Sequence, residues 1–130
     1  NFRLRLGDPL LIEEVLIKYP KLKIYPMHAG IPFHENTLAL MYQYPQIYCD
    51  LGAVLFLKSG STPHHVEDFL FKAKVYGLID RIMYGSDAMY WPHHIERSIL
   101  KLNSFEFLDE GDKRKIFYEN AVRFFGLDLS

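Results

Sequence analysis

The chain has 130 residues, of which 49% are hydrophobic and 15% aromatic, so a disordered tail is excluded and one ordinary domain with a buried core is expected. Its 15 Lys and Arg nearly balance its 16 Asp and Glu, and the net charge of -1 gives no support to a nucleic-acid partner or an anionic membrane partner. A single cysteine excludes an internal disulfide, and no apolar run is long enough for a membrane span. We therefore expect a soluble, cytoplasmic globular piece.

The first predicted helix follows Asp8-Pro9, a pair typical of a helix start. Leu11, Val15 and Tyr19 recur there at helical spacing and predict the apolar face of this helix, which the next proline ends. A short strand at 22–27 should follow.

The second helix is predicted at 35–44, with Leu38, Met41 and Tyr42 on one face, and a second strand at 46–51 follows it. Ser61-Thr62-Pro63 then resembles a helix cap. Behind it, an apolar stripe that ends near Gly77 is formed by Val66, Phe69, Leu70 and Ala73.

The last third of the chain predicts a strand and two helices. The strand lies at 81–84, and Pro92 opens a helix in which Ile95, Ile99 and Leu102 share a face. Acidic residues at 109–112 favour the start of a final helix that stops at Gly126. Strands that alternate with helices in this way predict an α/β fold with parallel strands and right-handed crossovers.

Three polar residues, His28, Asp50 and Asp87, end the three predicted strands. Parallel strands place their carboxyl ends on one rim, where α/β proteins bind ligands. An imidazole and carboxylates on one rim suit a divalent metal ion or general acid–base catalysis.

Four motifs in a fixed order give the sequence a family resemblance. They are His28-Ala29-Gly30, Ile47-Tyr48-Cys49-Asp50-Leu51, the segment 80–87 that ends in Gly85-Ser86-Asp87, and Asn120-Ala121 with the residues up to 127. Together they resemble the carboxyl-terminal portion of the amidohydrolase-related metal-dependent hydrolases, a family that includes decarboxylases of the aminocarboxymuconate-semialdehyde type. The resemblance implies a (β/α)₈ barrel.

Such a barrel usually needs about 250 residues. We therefore expect 1–130 to be a single partial domain, roughly the final three strands of the barrel, and the absence of an initiator Met fits this expectation. The partner would be the missing amino-terminal half or another copy of the chain.

The resemblance also implies roles for individual residues. Asp87 matches an aspartate that contacts the metal, a divalent ion such as Zn²⁺, and it is also a catalytic candidate. His28 matches a catalytic acid or base, although a histidine at this position can also touch the metal. Asp50 would at most support these groups, and Tyr90 and Trp91 could form an aromatic wall that binds substrate. The substrate would be a small organic molecule.

Hydrolysis and decarboxylation both remain open, because the two reactions share this scaffold. The family's other metal ligands have no counterpart in the sequence, so the segment alone should be inactive. The alternative to an enzyme is a non-catalytic protein that retains the second half of the barrel and acts as a scaffold or as part of an assembly.

The remaining candidates have simpler explanations. His64-His65 and His93-His94 are expected to be solvated first-turn residues, because neighbouring residues on a helix point in different directions. His34 could line a pocket or lie exposed, Cys49 is expected to be a packed thiol, and Asn120 to have a structural role.

Overall fold

The computed structural model describes residues 3–56 and 65–128. The helices are Glu13–Lys18 (α1), His34–Gln43 (α2), His65–Val75 (α3), Ile95–Asn103 (α4), Glu110–Arg114 (α5) and Asn120–Phe125 (α6), and the strands are Cys49–Asp50 (β1) and Ile82–Met83 (β2). Short 3₁₀ helices lie at Leu4–Gly7, Pro9–Ile12, Met27–Gly30, Ile79–Arg81 and Pro92–His94, and a π-helical turn, Lys115–Glu119, joins α5 to α6. The predicted cap Ser61-Thr62-Pro63 and His64 lie outside the described residues.

The three predicted strands are parallel and lie side by side in chain order. β1 and β2 pair with Cys49 opposite Ile82 and Asp50 opposite Met83. The segment predicted as the first strand forms a single parallel bridge, between Ile24 and Ile47. The ladders are short, but the order and direction predicted for an α/β fold are confirmed.

The helices pack on one face of these strands. Ile47, Cys49 and Leu51 alternate along the second strand and are fully buried in the core, together with Phe69 and Leu70 of α3. Because side chains alternate across a strand, Asp50 points to the opposite face. The same alternation therefore sends the apolar residues of this strand into the core and its carboxylate away from it.

The predicted apolar face of the first helix is wrong. Leu11, Val15 and Tyr19 are exposed, whereas Leu16 is buried and Ile12 packs against the core. The helix does begin at Asp8, whose side chain accepts a hydrogen bond from the backbone of residue 10 at 3.0 Å. Its first turn is a 3₁₀ helix, which has three residues per turn instead of about 3.6. The side chains that follow are therefore rotated around the helix axis relative to the predicted α-helix.

The faces of α2 and α4 are only partly as predicted. Leu38 and Met41 of α2 are buried, but Tyr42 is exposed. In α4, Leu102 is buried as predicted, but Ile95 and Ile99 are exposed. Ser98 of the same helix is buried instead. Its hydroxyl donates to the Ile95 carbonyl (2.8 Å) and accepts from the Tyr84 hydroxyl (2.7 Å), so its polar group is satisfied inside the protein.

The final helical segment lies against the amino-terminal end of the third strand. The Asn120 amide donates to the carbonyls of Ile79 and Ile82, both at 2.7 Å, and the side chain is fully buried. The π-helical turn directs the Ile116 carbonyl to the Tyr84 N–H at 2.8 Å. The Asn120 contacts lie at the start of the third strand and agree with the structural role expected for this residue. None of the helices within residues 3–56 and 65–128 has the length and apolar character needed to cross a membrane.

Candidate functional site

His28 and Asp50, which end the first and second strands, are joined by a hydrogen bond. One carboxylate oxygen of Asp50, Oδ1, accepts from the backbone N–H of His28 at 3.0 Å. The same oxygen accepts from the backbone N–H of Gly52 at 2.8 Å. Both side chains are partly buried. The structure therefore brings these two predicted rim residues together.

The His28 imidazole is held by a second contact to the same loop. Its Nδ1 lies 2.7 Å from the Gly52 carbonyl oxygen. A carbonyl can only accept, so Nδ1 carries the proton in this contact. In the neutral ring, Nε2 then has the free lone pair, which can accept a proton or bind a metal ion.

Gly52 and Gly85 allow the ends of the second and third strands to touch. A Cβ on Gly85 would lie 2.9 Å from the Gly52 nitrogen and 3.0 Å from its Cα. A Cβ on Gly52 would lie 3.0 Å from Asp50 Oδ1 and 3.2 Å from His28 Nδ1. Gly52 is not among the predicted site residues, although a glycine two residues after a strand-end aspartate is a signal for close backbone approach.

Backbone strain is concentrated at these strand ends. Within the described ranges, the non-glycine residues with positive φ are His28 (57°), Ala29 (53°), Ala53 (60°) and Asp87 (53°). Each follows one of the three strands by a few residues. Left-handed conformations cost non-glycine residues of the order of 1–2 kcal/mol, and such strain is typical of functional sites.

Asp87 lies in a tight turn after β2. Its carbonyl accepts from the backbone N–H groups of Tyr90 (3.1 Å) and Trp91 (3.2 Å). The residue is partly buried and follows Gly85, which packs on Gly52. The turn therefore starts at the same rim as the His28–Asp50 contact.

A complete metal site is not present in the described part of the chain. Within it, no three or more His, Cys, Asp or Glu side chains are grouped so that they could hold a metal ion. Protein zinc sites usually provide three or four protein ligands. The residues at hand therefore do not fit a complete zinc site.

An aromatic cluster lies beside the Asp87 turn. Trp91 contacts Tyr90 (ring centroids 5.6 Å apart) and Phe56 (5.8 Å). The imidazole of His94 stacks on Phe56 at 4.8 Å with an interplanar angle of 15°. Phe56 was not predicted to be part of this cluster, because an apolar residue in a loop gives no signal of its own.

The expectation of two solvated histidines at 93 and 94 is confirmed only for His93, which is exposed. His94 is half-buried against Phe56, and its pKa is lowered by burial first and then by the nearby His93 and Arg97.

His34 is buried, so the exposed alternative considered for it is wrong. It is 8% exposed, contacts the rings of His65 (5.6 Å) and Phe69 (5.4 Å), and lines a cavity of about 290 Å³. Burial first, and then His65, lower its pKa to about 4, while Glu35 and Asp68 act in the opposite direction. His65 itself is exposed, as expected for a first-turn residue.

Cys49 is fully buried in the core, as predicted for a packed thiol. Burial is the main reason why its pKa is raised well above the usual value, so the thiol stays protonated and is a poor nucleophile.

Known proteins share this sequence pattern and fold. The sequence profile of the amidohydrolase family matches residues 1–127. An uncharacterised TIM-barrel protein from Bordetella bronchiseptica is 22% identical with a TM-score of 0.74, and the alignment covers 95% of this chain and 41% of that one. An amidohydrolase from Burkholderia multivorans is 16% identical with a TM-score of 0.72, with 96% and 51% covered. No curated protein shows a significant match.

The chain thus spans about half the length of these two structures, and its three parallel strands with their helices are part of a (β/α)₈ barrel. The profile match extends over nearly the whole sequence and includes every strand end described above. The chain belongs to the amidohydrolase family.

Proposed function

We propose that the complete protein is a metal-dependent hydrolase that cleaves a C–N or C–O bond of a small organic substrate, with His28 and Asp87 as catalytic residues. The observation that carries this proposal is the position of the strained backbone. His28 and Asp87 both have positive φ angles, and both follow strands of a barrel whose family is the amidohydrolases. In barrels of this kind the active site lies at the carboxyl-terminal ends of the strands.

Asp87 is proposed as one ligand of a divalent metal ion such as Zn²⁺. Since the described residues do not form a complete site, the other ligands would belong to parts of the protein outside residues 3–56 and 65–128. A bound divalent ion would acidify water and polarise the substrate. The segment alone is accordingly proposed to be inactive.

His28 is proposed as the proton carrier. Its Nδ1 is engaged by the Gly52 carbonyl, so Nε2 is the atom that would exchange a proton. In hydrolysis it would take a proton from the attacking water and return it to the leaving nitrogen or oxygen.

Tyr90 and Trp91 are proposed to contact the substrate. The ring of Trp91 contacts Phe56 edge to face, and the His94 imidazole stacks on Phe56. A supported indole beside the strand ends favours a substrate with a planar part.

Non-oxidative decarboxylation within the same family is the second candidate, favoured by the resemblance to the aminocarboxymuconate-semialdehyde type. His28 Nε2 would then carry a proton to the carbon that CO₂ leaves. Assaying the complete protein separately for CO₂ release and for hydrolysis products distinguishes the two reactions. A cytoplasmic location remains part of the proposal and is supported by the single, buried cysteine.

The test of the proposal measures metal content and turnover of the complete protein together. A panel of amides, lactones and aromatic carboxylic acids serves as substrate, and Asp87→Ala is compared with the wild type. We expect the variant to lose bound metal and to lose at least 100-fold in kcat/KM. Asp109→Ala, at the start of α5, is the control and should keep both. An Asp87→Ala protein with unchanged metal content and turnover would show that the assignment is wrong.

The partner proposed for the chain is the remaining part of the barrel. Leu4, Leu6 and Ile17, at the beginning of the chain, are each about 60% exposed. We propose that these exposed apolar side chains form part of a contact surface. The two structural neighbours have about as much chain again outside the matched region, and that material is the proposed occupant.

A further inference from the structure

We propose that Asp50 is a positioning residue that fixes the tautomer and direction of the His28 imidazole through Gly52. The inference deepens the proposed function and rests on the assignment of His28 as proton carrier. No direct contact between Asp50 and substrate is involved.

One carboxylate oxygen of Asp50 accepts two backbone hydrogen bonds. Asp50 Oδ1 accepts from the N–H of His28 (3.0 Å) and from the N–H of Gly52 (2.8 Å). Hydrogen bonds to an ionised carboxylate are about twice as strong as neutral ones. The carboxylate therefore ties two loops together that are 24 residues apart in the sequence.

These hydrogen bonds maintain a left-handed backbone at His28. His28 has φ 57° and ψ 35°, and Ala29 after it has φ 53°, so the backbone is left-handed at two successive non-glycine residues. Such a conformation persists only where surrounding contacts enforce it. The bond from Asp50 to the His28 N–H is a contact of this kind.

Gly52 connects the Asp50 carboxylate to the imidazole ring of His28. Asp50 holds the N–H of Gly52, and the carbonyl of the same residue lies 2.7 Å from His28 Nδ1. The carbonyl selects the tautomer with the proton on Nδ1, and Nε2 is left with its lone pair. Gly52 is suited to this role because a Cβ there would come within 3.2 Å of Nδ1 and 3.0 Å of Asp50 Oδ1.

Removing the carboxylate should release this arrangement. In Asp50→Ala the N–H of Gly52 loses its hydrogen-bond acceptor, so the Gly52 carbonyl is no longer held against Nδ1. The His28 ring can then populate both neutral tautomers. In Asp50→Asn the amide oxygen can still accept from both N–H groups, so this conservative variant should keep the Nδ1–H tautomer. A matched control is Asp109→Ala, which also removes a carboxylate that accepts from a backbone N–H (Asp112, 2.9 Å) but at the start of α5.

The experiment is nitrogen NMR of the complete protein with ¹⁵N-labelled histidine, at a pH where the ring is neutral. Nδ1 and Nε2 have different shifts when protonated, and His28→Gln identifies the signals. The wild type should show Nδ1–H, Asp50→Asn and Asp109→Ala should keep it, and Asp50→Ala should show a mixture. A wild type with the proton on Nε2 would overturn the inference without any variant. An Asp50→Ala protein that keeps pure Nδ1–H, or an Asp109→Ala protein that loses it, would also overturn it.

Kinetics separate this inference from the proposed function. If the complete protein turns over a substrate, Asp50→Ala should lower kcat about 10- to 100-fold with little change in KM, as is usual for residues that orient a functional histidine. An equal loss in Asp50→Asn would contradict the positioning role. If no hydrolase or decarboxylase activity exists, the NMR result still decides whether Asp50 sets the tautomer, while the proposed function fails alone.

Discussion

His34 lies at the first position of α2, with its ring against Phe69 and His65. Its pKa of about 4 lies below the value of 6.5 for a solvated imidazole. As the pH falls, the unfolded chain therefore takes up this proton first. The neutral imidazole favours the folded state fully above pH 6.5, and this stability is lost progressively as the pH falls toward 4.

We expect this loss to reach about 2–3 kcal/mol at pH 4.5, from 1.36 kcal/mol per pKa unit. The measurement is the free energy of unfolding from urea titrations at pH 7.5 and 4.5. His34→Gln should lose about 2 kcal/mol less between these values than the wild type does. His93→Gln, at an exposed histidine, should behave like the wild type, and equal acid sensitivity in all three proteins would refute the prediction.

At the scale of single residues, sequence reasoning succeeded where the type of residue limits its surroundings. Cys49 in an apolar strand had to be packed, and it is fully buried. Predictions of burial were wrong where contacts between distant parts of the chain determine it. The burial of His34 depends on α3, and the stacking of His94 depends on Phe56, 38 residues earlier in the chain. Neither contact is visible in a local pattern.

At the scale of elements, the close contact between the ends of the second and third strands is the feature that a mutation tests best. Gly85→Ala would place a methyl group 2.9 Å from the Gly52 nitrogen, and this is backbone, which cannot move aside easily. We expect a loss of about 1–3 kcal/mol in the free energy of unfolding, as for other overpacked positions.

The control for this change is Gly111→Ala in α5. There the new methyl group meets a side-chain oxygen of Asp109 at 3.1 Å rather than backbone, and alanine favours a helix more than glycine does. Chemical denaturation should show this variant to be at least as stable as the wild type. A Gly85→Ala protein with wild-type stability would mean that the two strand ends are farther apart than described.

Elements with strong helical periodicity were predicted well. The apolar stripe of Val66, Phe69, Leu70 and Ala73 is buried in α3 as its spacing indicates, and α2 begins one residue before its predicted start. The first helix was placed correctly but its face was not, because a 3₁₀ turn rotated Leu16 inward. Such a turn has no reliable signal in the sequence.

At the scale of the whole molecule, the exposed leucines at the start of the chain lead to a prediction about association. The 130-residue chain alone should form dimers or larger species, since Leu4 and Leu6 are each about 60% exposed and association would bury them. Small-angle scattering across a dilution series measures this. A monodisperse species of 15.3 kDa at every concentration would contradict it.

The barrel and the family were predictable because the order of short motifs, rather than any one of them, carries the resemblance. The left-handed backbone at Ala29 and Ala53 was not predictable, since alanine has no preference for that conformation. It follows from the hydrogen bonds and close contacts that join the strand ends, which exist only after the strands have paired.

Asp87 is proposed as a ligand of the metal ion, and His28 as the proton carrier beside it. Anomalous diffraction from crystals of the complete protein grown with Zn²⁺ measures where the ion binds relative to both residues. We expect one zinc peak about 2.0–2.2 Å from a carboxylate oxygen of Asp87, with His28 Nε2 facing the same cavity. A zinc peak away from the strand ends, or an Asp87 carboxylate turned from the ion, would contradict it.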